Sequence, residues 1–234
     1  MKIYIAWIFS LVSLTSFAQT LSTSRSPVAA PAFPESDSSQ TGYQYNHVDS
    51  IRGSRFLYDD FITGTIYFTD NTKAADLPLR LNIYHDEFQY MKNNSVYVLG
   101  ALNRVGKITM GGEEFIYLDG SSNSDLSGFV KIWNAQFPTI VTKMSMGLSA
   151  SATIREGSYN YTIPPRFERK DDQHYLMRSE NNIVEIKSVR HLIYLLCYYS
   201  SKLEEFAKKE KISSSSGAEL AWLVEHYRKV ELHP

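Results

Sequence analysis

His85, Asp86 and Glu87 stand side by side in "LRLNIYHDEFQYM", residues 79–91, and each could hold a metal or move a proton. In an extended strand neighbouring side chains point to opposite faces, so three in a row cannot converge on one ion or one substrate atom. His85 and Glu87 could share a face. Two ligands, however, fall short of the three or four that a zinc site takes. His47, His174, His191, His226 and His233 are scattered along the chain and offer no partner spacing. Asp86 fits instead as the residue that turns "LRLNIY" back into "EFQYM". A bend is expected here, and no metal, cofactor or catalytic residue is assigned.

Other near-motifs fail on their chemistry. "GALNRVGKI", from Gly100 to Ile108, has five residues between its glycines where a phosphate loop has four, and Ile108 replaces the magnesium-binding hydroxyl. "GLSAS", residues 147–151, lacks the closing glycine of a nucleophile elbow. Carboxylates are paired at Asp59-Asp60, Glu113-Glu114 and Asp171-Asp172, each at a turn or strand start where solvated acids are expected. Glycosidase acids must face one another across a cleft, which spacing alone does not establish.

The aromatic positions carry more information. Tyr67, Tyr84, Tyr97 and Trp133 fall on strand faces opposite much of the leucine and valine set, and Arg80 and Asn82 would add donors on the Tyr84 face. One reading is cross-strand packing or burial under the C-terminal helices. The other is an exposed aromatic surface for a glycan or a protein partner. These six are the candidate binding residues.

The elements that must position them follow from periodicity. "FITGTIYFT" alternates with Ile62, Ile66 and Phe68 on one face, and Leu77, Leu79, Leu81 and Ile83 alternate with polar residues behind Pro78. Pro78 is expected at an edge or at the start of its strand. "EFQYM" with "SVYVL", "VGKITM" with "EFIYL", "GFVKIW" with "FPTIVTKM", and "HYLMR" with "IVEI" read as hairpins. From Ser188 the period becomes helical. Ser188 can cap "VRHLIYLLCYY", an apolar run expected to be buried, in which Cys197 reads as a small hydrophobe rather than a nucleophile. Ser201 with Glu204, and Ser216 with Glu219, have capping-box spacing ahead of two further helices. The expected class is α+β: an antiparallel curled β-meander, or a partly closed barrel-like sheet, with a C-terminal helical segment packed on it. The β-rich part spans 47–186 and the helices 187–231.

The start of the chain reads as targeting. Lys2 precedes an apolar run from Ile3 to Val12, and Ser16-Phe17-Ala18 supplies small residues for a cleavage near Ala18. That run falls short of the ~20 residues of a membrane span. Residues 19–46, rich in Ser, Thr, Pro and Ala, read as a disordered leader. Loss of Lys2 leaves 23 basic against 25 acidic residues, with no basic block, which argues against nucleic acid as a partner. The expected location is extracytoplasmic, in the periplasm or secreted, with no membrane span after cleavage.

Several stretches in order resemble a family of small exported Bacteroidetes-type proteins of unassigned function. They are Gly53-Ser54 with Phe56, Asp59-Asp60-Phe61 and Gly64; Leu79-Arg80, Asn82 and Tyr84; Gly128-Phe129; Arg166-Phe167; and Tyr175-Leu176. The resemblance covers about residues 50 to 230 and implies location and architecture, with no site residues. "SSNSDLS" and the stretch from Gly147 to Tyr161 depart from the pattern. The functional expectation is a non-catalytic envelope accessory or binding module, acting through a surface on an envelope protein or a glycan. A hydrolase whose site assembles from residues distant in sequence is the runner-up.

Overall fold

The computed structural model describes residues 51–120, 126–156, 159–179, 181–197 and 200–232. The targeting segment, the leader and most of "SSNSDLS" lie outside them.

Strand alternation is realised in β1 (Ile62–Phe68), which buries Ile66 and Phe68 and turns Thr63 and Tyr67 to the other face. β2 (Lys73–Asn82), β3 (Glu87–Lys92) and β4 (Ser95–Val98) continue away from β1. After a 3₁₀ turn at Leu102–Arg104 come β5 (Val105–Met110), β6 (Glu113–Leu118), β7 (Gly128–Ile132) and β8 (Thr139–Lys143). Then come β9 (Met146–Leu148), β10 (Ala152–Glu156), β11 (Tyr159–Ile163), β12 (Phe167–Arg169), β13 (Gln173–Ser179) and β14 (Asn182–Glu185). Ten of these form one antiparallel sheet in the order β14-β13-β8-β7-β6-β5-β1-β2-β3-β4.

The expected hairpins are present, but the path is not a simple meander. From the edge strand β4 the chain crosses back and places β5 beside β1, pairing Ile66 with Ile108. β9 with β12, and β10 with β11, make two small ribbons outside the main sheet. Alternation could not announce them, because β9 and β12 are three residues long and all of β10 is exposed.

Pro78 is not at a strand start. It lies inside β2, paired with Thr63 of β1. The β2–β3 ladder begins only at Leu79, and a bulge with Asp76 at φ 57° adjoins it, so the missing N–H interrupts no bond on that side.

The sheet is open, with β4 and β14 as its edges. It is nevertheless curled. The Phe88 ring of β3 lies 5.4 Å from Phe115 of β6 and 4.9 Å from Phe129 of β7. Flat strands four places apart would be about 19 Å apart. The curl therefore brings the same face of both halves together around Ile66, Leu79, Phe88, Ile108 and Phe115. Each edge-to-face aromatic pair adds about 0.5–1.5 kcal/mol to the area it buries.

Three helices follow: α1 (Val189–Cys197), α2 (Ser201–Lys209) and α3 (Gly217–Tyr227), the last running on into a π-turn at Arg228–Leu232. Ser188 and Ser216 cap as expected, accepting from His191 and Glu219 N–H. The α2 cap is Ser200 rather than Ser201, accepting from Leu203 N–H at 3.3 Å. Glu219 does not close a capping box; its carboxylate takes the Ser213 N–H at 2.6 Å. α1 is less buried than its composition implies, since only Leu192 and Ile193 are buried and Tyr194 is exposed. Leu220, Leu223 and Val224 of α3 meet Ile140 of β8 and Leu176 of β13, so the helices pack on the core-side face of the sheet. The opposite face of β6–β8 and β13–β14 carries its own cluster, Leu126, Val130, Val141, Met177 and Ile183. No helix among the described residues is long and apolar enough to cross a membrane.

Candidate functional site

The His85-Asp86-Glu87 run is a bend, with Asp86 at φ 55°, and its side chains diverge. The Asp86 carboxylate accepts from Phe129 N–H (3.2 Å) and from Lys143 Nζ (2.6 Å). Glu87 Oε1 accepts from Asn82 and Gln89, each at 3.0 Å. His85 gives its N–H to Asn82 Oδ1 and its ring to the edge of Tyr84.

The six candidate residues do not form one surface. The Arg80 guanidinium lies 3.6 Å from the Phe56 ring centre and 4.3 Å from that of Phe61, and donates to Gln89 Oε1 and the Asp59 carbonyl. Burial, then the neighbouring Arg55 charge, lowers its pKa from the ordinary arginine value. Asn82 is fully buried. Tyr97 stacks on Tyr90 at the core side of β3–β4, the face opposite Arg80. Trp133 lies with the helix-covered cluster. Tyr67 (38% exposed) and Tyr84 (37%) remain accessible. Tyr84 sits in the turn rather than on a strand, against Phe167. Cover by the Phe56 and Phe61 rings thus accounts for Arg80, hydrogen bonds with Glu87 and His85 for Asn82, stacking on the core side for Tyr97, and the helices for Trp133.

A polar seam runs across β6, β7, β8 and β13. Tyr58 donates to Glu113 Oε2 (3.2 Å), Lys131 pairs with Glu113 Oε1, and the Lys131 ammonium sits 3.8 Å from the Trp133 ring centre. Trp133 Nε1 donates to Thr142 Oγ1 (2.7 Å), which lies 2.8 Å from His174 Nδ1. An indole only donates, so Thr142 accepts from it and has its own proton free for Nδ1. His174 Nε2 is buried without a partner among the described residues. The Thr142–His174 pair has nucleophile–base spacing, the arrangement a hydrolase would need. Yet Thr142 is 1% and His174 4% exposed, so a substrate cannot reach them. The seam is structural.

The carboxylate pairs are also divided. Glu113 turns to the seam while Glu114 takes Lys107 at 2.9 Å, and Asp172 takes Arg169 at 2.7 Å. Among the described residues no three His, Cys, Asp or Glu gather as metal ligands.

The feature best shaped for a ligand lies on the other face of the sheet. A trough of about 520 Å³ runs over β6–β8 and the end of β13, within the range of small-molecule sites. Ile116, Leu118, Ile132 and Met177 give it apolar walls, and Asn103, Asp119, Asn181 and Phe137 stand at its rim. Asn134 fixes the rim loop. Its Nδ2 donates to the Gln136 and Pro138 carbonyls, and its Oδ1 accepts from Ile140 N–H and the Thr139 hydroxyl. Arg228, from the π-turn, donates to the same two carbonyls. So held, the loop presents Phe137 with 51% of its surface exposed. In the sequence, the residues between "GFVKIW" and "FPTIVTKM" read only as the link of a hairpin, and nothing in them marks Asn134 as buried or Phe137 as exposed.

Comparison with known proteins gives no match, whether to a family model, to a characterised protein or to a solved structure.

Proposed function

We propose that this is an exported, non-catalytic binding module that works through the trough beside Phe137. The observation that carries the reading is the trough itself: an apolar-walled concavity whose rim loop is tied down from two sides, by Asn134 and by Arg228, while its aromatic tip is left uncovered. A loop held this way loses little conformational freedom on binding. The signal-like first eighteen residues support export, to the periplasm or beyond the cell. The family resemblance supports the same placement and adds no site.

The test is photo-crosslinking in the native host, with a diazirine amino acid at position 137 or, as a distal control, at the exposed helix position 222. Labelling from 137 and not from 222 is the expected result. Equal labelling from both positions, or none from 137, would overturn the assignment.

A further inference from the structure

Resting on the reading of the trough as a binding site, we propose that its ligand is a short neutral oligosaccharide. The charge of the lining narrows the chemistry first. Among the described residues no Lys, Arg or His lines the trough, and its one carboxylate is that of Asp119. A phosphate, sulfate or uronate would therefore meet no counter-charge and one like charge, a combination that disfavours binding.

The rim then separates a sugar from a purely apolar ligand. Asn103 and Asn181 are exposed at the trough, and their carboxamides make no hydrogen bond within the described protein. Each carboxamide offers two donors and an acceptor, the complement of neighbouring sugar hydroxyls, which both donate and accept. A hydrocarbon chain covering them would strip their water and return no hydrogen bond, which disfavours its binding. Phe137 supplies the remaining element, a flat exposed ring on a fixed loop, suited to the C–H face of a pyranose. Asn134 contributes no ligand contact, because its carboxamide is spent on the loop.

The experiment titrates the mature chain with maltotriose, cellotriose, laminaritriose and chitotriose, with a sialylated and a sulfated trisaccharide and decanoate for comparison. The readout is the side-chain amide NMR signals of Asn103 and Asn181. At least one neutral trisaccharide should shift both signals saturably. Phe137→Ala should weaken that binding about tenfold, and Asn181→Ala about fivefold, while Trp222→Ala leaves it unchanged. Asn103→Ala, at an exposed position, keeps the test readable if Phe137→Ala fails to fold. Preference for an anionic sugar or for decanoate, or no shift from any neutral sugar, overturns the proposal. If crosslinking at 137 still traps a neighbour while the four neutral sugars are inert, the glycan assignment falls and the binding module stands. If both are silent, the trough assignment falls with it.

Discussion

The Asp86 carboxylate occupies the space that a side chain at residue 128 would take: a Cβ on Gly128 would lie 1.6 Å from Asp86 Oδ2 and 2.5 Å from Lys143 Nζ. Gly128 also holds φ at 94°, which disfavours any residue with a Cβ. Together these let the β2–β3 bend dock on β7, through Phe129 N–H forty-three residues away, and on β8 through Lys143. Gly128→Ala should therefore cost about 3 kcal/mol, combining backbone strain with loss of a charge-assisted bond. In an Asp86→Ala background the same change should cost only about 1–2 kcal/mol, the strain alone. Denaturant midpoints of the two singles and the double give the coupling; strict additivity would contradict the contact.

Gly217 plays a comparable part for the helices. A Cβ there would lie 2.2 Å from Trp133 Nε1 and 2.9 Å from Thr142 Oγ1. At this first helical position alanine gains at most the ~0.8–1 kcal/mol of propensity it is worth in a helix interior. Against that, overpacking a ring already held by its hydrogen bond costs about 1–3 kcal/mol. Gly217→Ala is expected to lower stability by about 1 kcal/mol and to shift the Trp133 emission, and Trp133→Phe should relieve part of the loss.

Thr142 serves two neighbours at once. Thr142→Val keeps the shape but leaves the half-buried Trp133 Nε1 without its acceptor and the buried His174 Nδ1 without its partner. A loss of about 2–4 kcal/mol is expected, set by those two unpaired groups. Thermal unfolding of Thr142→Val beside Thr142→Ser, which retains the hydroxyl and should lose much less, measures it.

Tyr58 gives the fold an alkaline limit. Burial, and next the Glu113 charge and hydrogen bond, raise its pKa above the ordinary 10.0. A raised value in the folded protein means that this contribution is fully present below pH 10 and is lost as pH rises through the folded value. Above it, a phenolate would face the Glu113 carboxylate. Stability should fall more steeply with alkaline pH in the parent than in Tyr58→Phe, as read from denaturant midpoints across pH 9–11.5. Parallel pH curves would exclude the contact as a source of that dependence.

The hairpins were legible because side-chain alternation and turn chemistry are local: Asp86 as a bend residue and Ser188 and Ser216 as caps follow from a few neighbouring residues. The two small ribbons were not, since short strands and a wholly exposed one bury no face and leave no period. Nor was the fate of the candidate binding residues, because alternation says which face Tyr97 or Arg80 takes and not what covers that face. That was decided by Phe56 and Phe61 lying over Arg80, by the curl that brings Phe88 to Phe129, and by the approach of α3 at Gly217. Tertiary structure alone joined Asp86 to Gly128, tied the Phe137 loop to Arg228, and left the trough open on the face away from the helices. The physical reason is range: backbone period and capping act over a turn or two of chain, whereas burial, ion pairing and cavity shape depend on residues that meet only after the sheet has curled.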